Sequence, residues 1–290
     1  MENLLWKIKG RALAIGARTL VMGVVNVTPD SFSDGGQFYT FEQALDQSEK
    51  LLAEGADILD IGGESTRPGS LPVAPEEELR RVIPLIEHLA KKSVAVISVD
   101  TTKAAVARAA LDAGAAIVND ISALRFDYHL ADEVARAGAG LVLMHSRGTP
   151  ATMQRLPPAA DILSEVKSSL QSSIKMAERR GVPLDSIAID PGIGFGKTPE
   201  QNLELIAKLD QLAESFPEFP ILIGTSRKSF IGHLLGQRSA RERLHSTMAS
   251  VTAAVLRGAH IVRVHDVSAA IETVRVADAI RKALLQSRSV

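Results

Sequence analysis

Polar and charged residues stand at the ends of short apolar runs, where strands that only fill a core would end in apolar residues. They are Asn26, Asp60, Asp100, Asn119, His145, Asp190, Ser226, Lys228, Arg263 and His265. The side chains of Asp100, Asn119 and Asp190 offer the oxygens that recognise an amide-like edge of N–H donors. Arg67, Lys228 and Arg263 are suited to a polyphosphate, because guanidinium and ammonium groups bind phosphate oxygens. Since this mixture is costly to bury without a ligand or mutual pairing, we expect a site for a heterocycle attached to an anion.

Each of these residues also has a structural interpretation when it is taken alone. Asp100, Asn119 and Asp120 could cap the helices that follow them. Asp60 lies inside an apolar run, where a structural role is favoured, and a single histidine such as His145 is typical of a core or loop position. The functional interpretation is favoured because all of these side chains would converge at the ends of the predicted strands. His265, two residues after Arg263 and therefore on the same face of a strand, is a further candidate cation.

Residues 187–198 at first suggest a phosphate loop, since they end in Gly-Lys-Thr as a Walker motif does. The spacing excludes this motif, because the position of its first glycine is taken by Pro191, which has no backbone N–H. The dinucleotide-binding pattern also fails, since Lys197 stands in place of its last glycine. We therefore expect the carboxylate of Asp190 to matter more than the glycines. Lys197 is left without a predicted role.

The spacing of apolar residues predicts alternating strands and helices. Strands are predicted at 19–26, 56–61, 94–100, 116–119, 141–145, 187–190, 221–224 and 261–265. Helices are predicted at 41–54, 75–91, 101–113, 128–137, 160–180, 199–214, 241–257 and 269–285. This alternation requires a parallel sheet, and eight strand–helix units in about 250 residues predict an α/β fold, a closed (β/α)8 barrel of the TIM type. An open doubly wound sheet is the alternative. In a barrel, the polar strand ends meet at the mouth that carries active sites.

The composition fits one such domain over residues 1–290, with 1–17 as an N-terminal extension or cap. Hydrophobic residues make up 46% of the chain and aromatic residues 4%, so the core must consist of Val, Ile, Leu and Ala. The formal net charge of −1 implies no general attraction to nucleic acid or to anionic membranes. The lack of cysteine excludes disulfides, thiolate metal sites and a cysteine nucleophile. Without an apolar run of about 18 residues or a signal-peptide core, a cytoplasmic location is expected.

Seven stretches of the chain, in order, resemble the signature motifs of dihydropteroate synthases. They are NVTPDSFSDGG at 26–36, DIGGESTRPG at 60–69, SVDT at 98–101, VND at 118–120, DPGIGFGK at 190–197, SRKS at 226–229 and RVHD at 263–266. The resemblance covers about residues 18 to 285. It implies a transferase of folate biosynthesis, the target of sulfonamides, that joins 4-aminobenzoate to 6-hydroxymethyl-7,8-dihydropterin diphosphate. The products would be 7,8-dihydropteroate and diphosphate, and the family implies Mg²⁺ and a homodimer.

The same resemblance implies a role for individual residues. The pterin would be bound by Asp100, Asn119, Met144, Asp190, Gly194 and Lys228. The diphosphate would be held by Asn26, Arg67, Arg263 and His265, with Asn26 also beside Mg²⁺. The 4-aminobenzoate slot would be formed by Thr66, Arg67, Pro68, Phe195, Ser226 and Lys228. Catalysis would rest on Asp100, Arg67, Lys228 and Arg263, mostly through positioning and charge stabilisation. The metal would arrive with the substrate, because the sequence contains no acid-rich metal motif.

Two other functions remain as alternatives at this stage. A pterin-binding methyltransferase of the same barrel type would share Asn119 and the pterin-binding acids. It would have no use for the motifs at 66–68, 226–228 and 263–265, which serve diphosphate and aminobenzoate. A non-catalytic pterin-binding paralogue would be indicated by a missing loop cation, and none is missing. Met144 could also be no more than a core methionine. Gly192 and Gly194 are expected to let the backbone approach a flat ring.

Overall fold

A computed structural model describes residues 4–28, 41–67, 69–92 and 95–287 of the protein. Most of the predicted loop after the first barrel strand, residues 29–36, and Pro68 of the predicted aminobenzoate slot lie outside the described residues. The strands are β1 (Leu4–Ile8), β2 (Arg11–Ile15), β3 (Leu20–Asn26), β4 (Ile58–Gly62), β5 (Val96–Asp100), β6 (Ile117–Asp120), β7 (Gly140–Met144), β8 (Ile187–Asp190), β9 (Leu222–Ile223) and β10 (Ile261–Val264).

Strands β3 to β10 form one parallel sheet in the order β8-β7-β6-β5-β4-β3-β10-β9. The two ends of this order meet at a parallel bridge between Ile189 and Ile221, and the Ile189 N–H donates to the Pro220 carbonyl at 2.9 Å. The sheet therefore closes on itself, which confirms the predicted barrel and excludes the open sheet. Closure leaves no long unpaired strand edge.

The helices surround this barrel. They are α1 (Phe41–Ala53), α2 (Pro75–Lys92), α3 (Ala104–Ala113), α4 (Leu130–Ala137), α5 (Ile162–Arg179), α6 (Pro199–Ala207), α7 (Leu209–Ser215), α8 (Ser229–Leu234), α9 (Leu244–Leu256) and α10 (Val267–Ser287). The helix predicted over 199–214 is two helices, because the backbone of Lys208 leaves the helical region at φ −106° and ψ 22°. Helix α8 was not predicted, since six residues are too few to show a helical period. No helix within the described ranges is long and apolar enough to cross a membrane.

Alternation along the strands separates two packed layers. Val21, Val25, Leu59 and Ile61 are among the residues that pack outward in the main core cluster, against the helices. Their neighbours in sequence point inward and form a second cluster near the amino-terminal ends of the strands, which includes Leu20, Met22, Ile58, Val96, Ile117, Val142, Ala188, Leu222 and Ile261. Since side chains alternate with a period of two, the next inward positions along each strand face the carboxyl-terminal mouth.

The β1–β2 hairpin covers the amino-terminal end of the barrel. Trp6, Ile8 and Ile15 are buried and belong to the inner cluster of strand residues. The indole N–H of Trp6 donates to the carbonyl of Ser186, just before β8, at 2.9 Å. The hairpin lies directly on the start of β7, because a Cβ on Gly140 would meet the side chains of Ile8 and Trp6. The predicted N-terminal cap is therefore a hairpin that closes the barrel opposite its mouth.

Candidate active site

The inward positions near the mouth are occupied by residues that the sequence singled out, six of them polar. Their shared feature is an even spacing from the buried inward residues of the same strand. They are Asn26 on β3, Asp60 on β4, Asp100 on β5, Asn119 on β6, Met144 on β7, Asp190 on β8 and Arg263 on β10. All of these strands except β7 therefore change from an apolar inward residue at the base to a polar one at the mouth. The structure brings these side chains around one depression at the carboxyl ends of the strands.

Four of these residues form one connected set, which we call the Arg263 network: Asp60, Asp100, Asn119 and Arg263. Arg263 Nε donates to Asp60 Oδ2 at 2.6 Å, and Arg263 Nη2 donates to Asp100 Oδ2 at 2.8 Å. Asn119 Nδ2 donates to the same Asp60 oxygen at 3.0 Å. Asp60, which is fully buried, therefore links β6 to β10, and Arg263 in turn links β10 to β5. Among the described residues only Nε and Nη2 of the guanidinium are used, so N–H donors remain there for a further anion.

Asp100 is held in a strongly perturbed state by this environment. Burial raises its pKa to about 7, while Arg263 opposes the rise and the neighbouring Asp60 adds to it. The carboxylate charge is thus costly here, and Arg263 is the cation that makes it tolerable. A ligand that brought N–H donors to Asp100 would favour its ionised form in the same way.

Asp190 ends β8 and is buried at the base of the mouth. Its Oδ1 accepts the N–H of Gly192 at 2.6 Å. Burial raises the pKa of Asp190 to about 6, against the Gly192 hydrogen bond and the charges of Lys228 and Lys197. At neutral pH the group is therefore mostly an ionised acceptor, the form that binds two adjacent N–H donors.

An apolar wall stands beside Asp190. Met144 and Phe195 are both buried and pack in one cluster with Ile121 and Met153. Lys228 lies over this wall, with its Nζ 4.1 Å from the centroid of the Phe195 ring. Burial, together with the charge of Arg263, lowers the pKa of Lys228 to about 8, while Asp190 opposes the change. The arrangement provides a flat apolar surface with a cation at its edge, which suits an aromatic ring.

His265 and Ser226 form the next part of the rim. Ser226 Oγ lies 3.0 Å from His265 Nδ1, and the same hydroxyl oxygen accepts the backbone N–H of His265 at 3.2 Å. Burial, together with the nearby Arg227, lowers the pKa of His265 to about 3. The expectation that His265 is a cation is therefore wrong for the ligand-free site at neutral pH. It is a neutral imidazole, surrounded by arginine and lysine charges, that can still donate a hydrogen bond.

The loop after β4 carries the remaining predicted residues. Thr66 is half-buried and Arg67 is exposed. The loop is anchored from below by Lys103, whose ammonium donates to both Glu64 and Glu78. Its far end reaches the loop after β7, where the Gly69 N–H donates to the Pro150 carbonyl at 2.9 Å. A cavity of about 290 Å³ lies beside these two loops. Its lining residues include Thr66, Asp100, Lys103, Ile121, Phe126 and Pro150.

Comparison with known proteins agrees with this geometry. The family described as pterin binding enzymes matches residues 22–265. A dihydropteroate synthase of Synechocystis is 47% identical over 265 residues, which span 91% of each chain. The chain belongs to the dihydropteroate synthase family. A Yersinia pestis dihydropteroate synthase in a sulfonamide drug complex shares 39% identity at a TM-score of 0.89, over 96% of this chain and all of that one. A Burkholderia cenocepacia dihydropteroate synthase complexed with 7,8-dihydropteroate shares 40% identity at a TM-score of 0.86, over 98% of this chain and 99% of that one.

Several structural interpretations of these family motifs can now be judged. Asp100 does not cap α3, since the first helical N–H, that of Ala104, is accepted by Asp127 at 2.8 Å. Asp120 is structural: it accepts from the backbone of Ser122 and of Leu124, at 2.8 Å and 2.6 Å. These two bonds shape the turn that follows β6.

His145 also fits its structural interpretation. It is buried, and burial with the nearby Lys197 and arginines lowers its pKa to about 2. The expectation for Gly192 is wrong in its reason. A Cβ there would overlap the carbonyl oxygen of His145, and the backbone has φ +68°, so glycine is required by the protein's own packing. At Gly194, by contrast, a Cβ would lie 3.0 Å from the Lys228 side chain, which borders the apolar wall.

Two residues make contacts at the mouth that sequence reasoning did not predict. Asp60, for which a structural role is favoured by the sequence, joins Arg263 to Asn119. Its signal was available, because it stands two residues after the inward Ile58 and so points into the barrel. Lys197 had no predicted role, and nothing in its local sequence indicates the contacts that it makes. The structure places its ammonium between two of the loops at the mouth.

Proposed function

We propose that this protein condenses 6-hydroxymethyl-7,8-dihydropterin diphosphate with 4-aminobenzoate, giving 7,8-dihydropteroate and diphosphate in folate biosynthesis. The observation that carries the proposal is the convergence of Asp100, Asn119 and Asp190 on one inward-facing site beside Arg263. Acceptor groups for a heterocycle and a cation for an anion are thereby placed next to each other. The similarity to family members whose structures hold a sulfonamide or 7,8-dihydropteroate supports the same reaction.

In this proposal the pterin lies on the floor of the mouth. Asp190 accepts from the amino and N–H edge of the ring, and Asn119 and Asp100 bind its other polar atoms. Met144 covers one face of the ring from the apolar wall, and Lys228 reaches it from the edge beside Gly194. The raised pKa values of Asp100 and Asp190 show that burial opposes their negative charge, and N–H donors of a bound pterin would favour the ionised form of both.

The diphosphate is assigned to the rim formed by Asn26, Arg67, Arg263 and His265. Arg263 is well placed for this role, because its Nε and Nη2 are anchored on two acids while other N–H groups remain. Its charge favours departure of the diphosphate as the bond between the methylene carbon and the bridging oxygen breaks. Asp100 stabilises the positive charge that develops on the pterin side.

The described residues fit a Mg²⁺ ion that takes most of its ligands from water and from the diphosphate. Within the described residues no group of three or more acidic, histidine or cysteine side chains could hold a metal ion. Asn26, at the half-buried end of β3, offers one neutral oxygen, which suits a Mg²⁺ that is otherwise bound by waters and diphosphate. When bound, Mg²⁺ would neutralise charge on the leaving diphosphate. Asn26 would orient the diphosphate towards Arg263.

The second substrate, 4-aminobenzoate, is assigned to the slot between Phe195, Ser226, the stem of Lys228 and the loop that carries Thr66, Arg67 and Pro68. Its amine is a free base at neutral pH, so the nitrogen can attack the methylene carbon directly. A C–N bond forms as the C–O bond breaks, and the amine proton passes to solvent. The slot is complete only when the β4–α2 loop and the diphosphate are in place, so we expect the pterin diphosphate to bind first.

The reaction is tested by mixing the purified protein with Mg²⁺, the pterin diphosphate and 4-aminobenzoate, and measuring diphosphate and dihydropteroate. We expect the two products in equal amounts, and none when either substrate is omitted. Pterin binding without product would indicate a non-catalytic paralogue. Methyl transfer from a folate to a corrinoid, with no diphosphate released, would indicate the methyltransferase. Tight binding of 4-aminobenzoate in the absence of diphosphate would contradict the proposed order.

We also propose that residues 1–290 act as one domain and that two copies associate through α10. Helix α10 exposes an apolar stripe with a spacing of four residues: Val276, Ile280 and Leu284 are 62%, 43% and 49% exposed. Helix α9, which packs beside α10, directs Val251 and Val255 into the core and offers less apolar surface. The molar mass in solution should be that of a dimer, and Ile280→Glu should yield a monomer. A wild-type monomer at micromolar concentration would contradict the proposal.

A further inference from the structure

The ammonium group of Lys197 is bound by main-chain oxygens from two loops. Lys197 Nζ donates to the carbonyls of Gly192, Phe195 and His145, at 2.8, 3.1 and 3.3 Å. The first two belong to the loop between β8 and α6, and the third follows β7. An ammonium has three N–H donors, so all three are used. The side chain is 7% exposed.

The loop that Lys197 holds is otherwise without regular structure. Gly192, Gly194 and Gly196 all have positive φ, so the chain reverses direction repeatedly there. Asn202 of α6 supports the loop from the other side, since its Oδ1 accepts the Gly194 N–H at 2.6 Å. The Gly192 and Phe195 carbonyls also accept backbone N–H groups, from Phe195 at 3.2 Å and from Arg147 at 3.5 Å. An apolar residue in place of Lys197 would remove a charged donor from all three buried carbonyls, which is costly. Lys197 therefore joins the β8–α6 loop to the backbone that follows β7.

The charge of Lys197 also acts on the site. Burial lowers the pKa of Lys197 to about 7, and Asp190 is the principal group that opposes this change. Lys228, Glu165 and Arg147 are the other charges that it senses. In the opposite direction, Lys197 is one of three cations, with Lys228 and Arg263, that favour the ionised form of Asp190. The β8–α6 loop is thus held by Lys197, and the positive charge of Lys197 complements the negative charge of Asp190 at the beginning of the loop.

We propose that Lys197 is a positioning residue that fixes the β8–α6 loop, so that Phe195 shapes the 4-aminobenzoate slot, and whose charge keeps Asp190 ready to accept from the pterin. This inference rests on the proposed function, which supplies the two ligands. It gives a role to the residue that made the stretch resemble a phosphate loop. In this role Lys197 binds no phosphate and contacts neither substrate.

The test separates the charge of Lys197 from its hydrogen bonds. Lys197→Met removes both, whereas Lys197→Gln removes the charge but keeps an N–H₂ donor. Lys175→Met, on the exposed face of α5, is the matched control for loss of one positive charge. Affinity for 6-hydroxymethylpterin is measured by calorimetry between pH 5 and 7, and steady-state KM values are measured for both substrates. Far-UV circular dichroism at the assay temperature shows whether each variant is folded.

In the wild type, the affinity for pterin should fall below about pH 6, where Asp190 becomes protonated. Both Lys197 variants should move this midpoint upward by about one pH unit, because a nearby cation is lost. Lys197→Met should also raise the KM for 4-aminobenzoate about tenfold, the effect of a lost hydrogen bond or two. Lys197→Gln should raise it less, and the control should change neither quantity.

An unchanged midpoint and an unchanged KM in a folded Lys197→Met protein would overturn the proposal. If that variant does not fold, the midpoint of Lys197→Gln decides the role of the charge. A shift as large in Lys175→Met would also overturn it. Failure of the wild type to bind pterin or to release diphosphate would instead refute the proposed function, so the two failures are distinguishable.

Discussion

Removal of the Arg263 side chain should destabilise the protein in a pH-dependent way. Arg263 pairs with Asp60, which is fully buried, and with Asp100, which is 7% exposed. A methionine at this position would fill much of the same space with an apolar side chain. The two carboxylates would then be buried without their cation. Breaking a buried ion pair from one side typically costs about 3–5 kcal/mol. For a chain of this size, each kcal/mol of lost stability lowers Tm by roughly 2–4 °C.

The pH dependence follows from Asp100. Its folded pKa is raised to about 7, above the value of an unfolded aspartate, so its contribution to stability is favourable at low pH and is lost as the pH rises towards 7. Without Arg263 the folded pKa rises further, and the loss continues to higher pH. The difference between Arg263→Met and wild type should therefore grow with pH. The difference in unfolding free energy should grow by about 1.4 kcal/mol for each pH unit over which Asp100 stays protonated in the variant but not in the wild type.

Thermal unfolding at pH 5.5 and pH 8.5 measures this difference directly. Arg263→Lys keeps the charge but cannot bridge the two acids with a fork, so it should lie between wild type and Arg263→Met. Arg275→Met, an exposed change on α10, controls for the loss of one charge and should have little effect at either pH. Equal destabilisation of Arg263→Met at the two pH values would refute the reasoning, since it would mean that loss of Arg263 does not change the pKa of Asp100.

Three further predictions concern the site and its loops. Asp190→Asn should weaken pterin binding by roughly 10–150-fold in a calorimetric titration, as expected for a lost charged hydrogen bond; unchanged affinity would contradict the role of this acid. Gly192→Ala should destabilise the protein by roughly 2–4 kcal/mol in thermal unfolding, because its backbone is left-handed and its Cβ would overlap the His145 carbonyl; a wild-type Tm would show that the loop can move aside. Lys103→Met should raise the KM for 4-aminobenzoate severalfold and leave pterin affinity unchanged, because it releases Glu64 of the β4–α2 loop; an effect on pterin alone would argue against this anchor.

Local patterns in the sequence were sufficient for the barrel and for much of its mouth. Most of the strands are short apolar runs with a polar residue at or near the carboxyl end, and the alternation of strands with helices allows few other topologies. Asn26, Asp100, Asn119 and Asp190 could be selected because they interrupt apolar runs at strand ends. The motifs that resemble the family then indicated the ligands, which position alone could not identify. The family membership of the chain is confirmed, whereas the individual residue roles remain predictions.

Other features depend on contacts that no local pattern contains. The Asp60–Arg263 pair joins residues 203 positions apart. The spacing of Asp60 from Ile58 indicates that its side chain points into the barrel, but no local pattern identifies Arg263 as its partner. Lys197 was misleading for a related reason: its neighbours in sequence suggested phosphate, but its partners are carbonyls that converge only in the folded loop. The neutral state of His265 also required its burial beside Arg227 to be known. Local pattern thus locates the functional groups, and tertiary contact determines their protonation and pairing.

The hairpin at the closed end of the barrel has a practical consequence for spectroscopy. Trp6 is the only tryptophan in the chain, and it is fully buried with its indole N–H bonded to Ser186. Intrinsic tryptophan emission therefore comes from one place, at the opposite end of the barrel from the ligands. A red shift would report the detachment of the hairpin from the strands, independently of events at the mouth. Substrate titrations followed by this signal should be silent, while the same signal records the loss of the barrel base during unfolding.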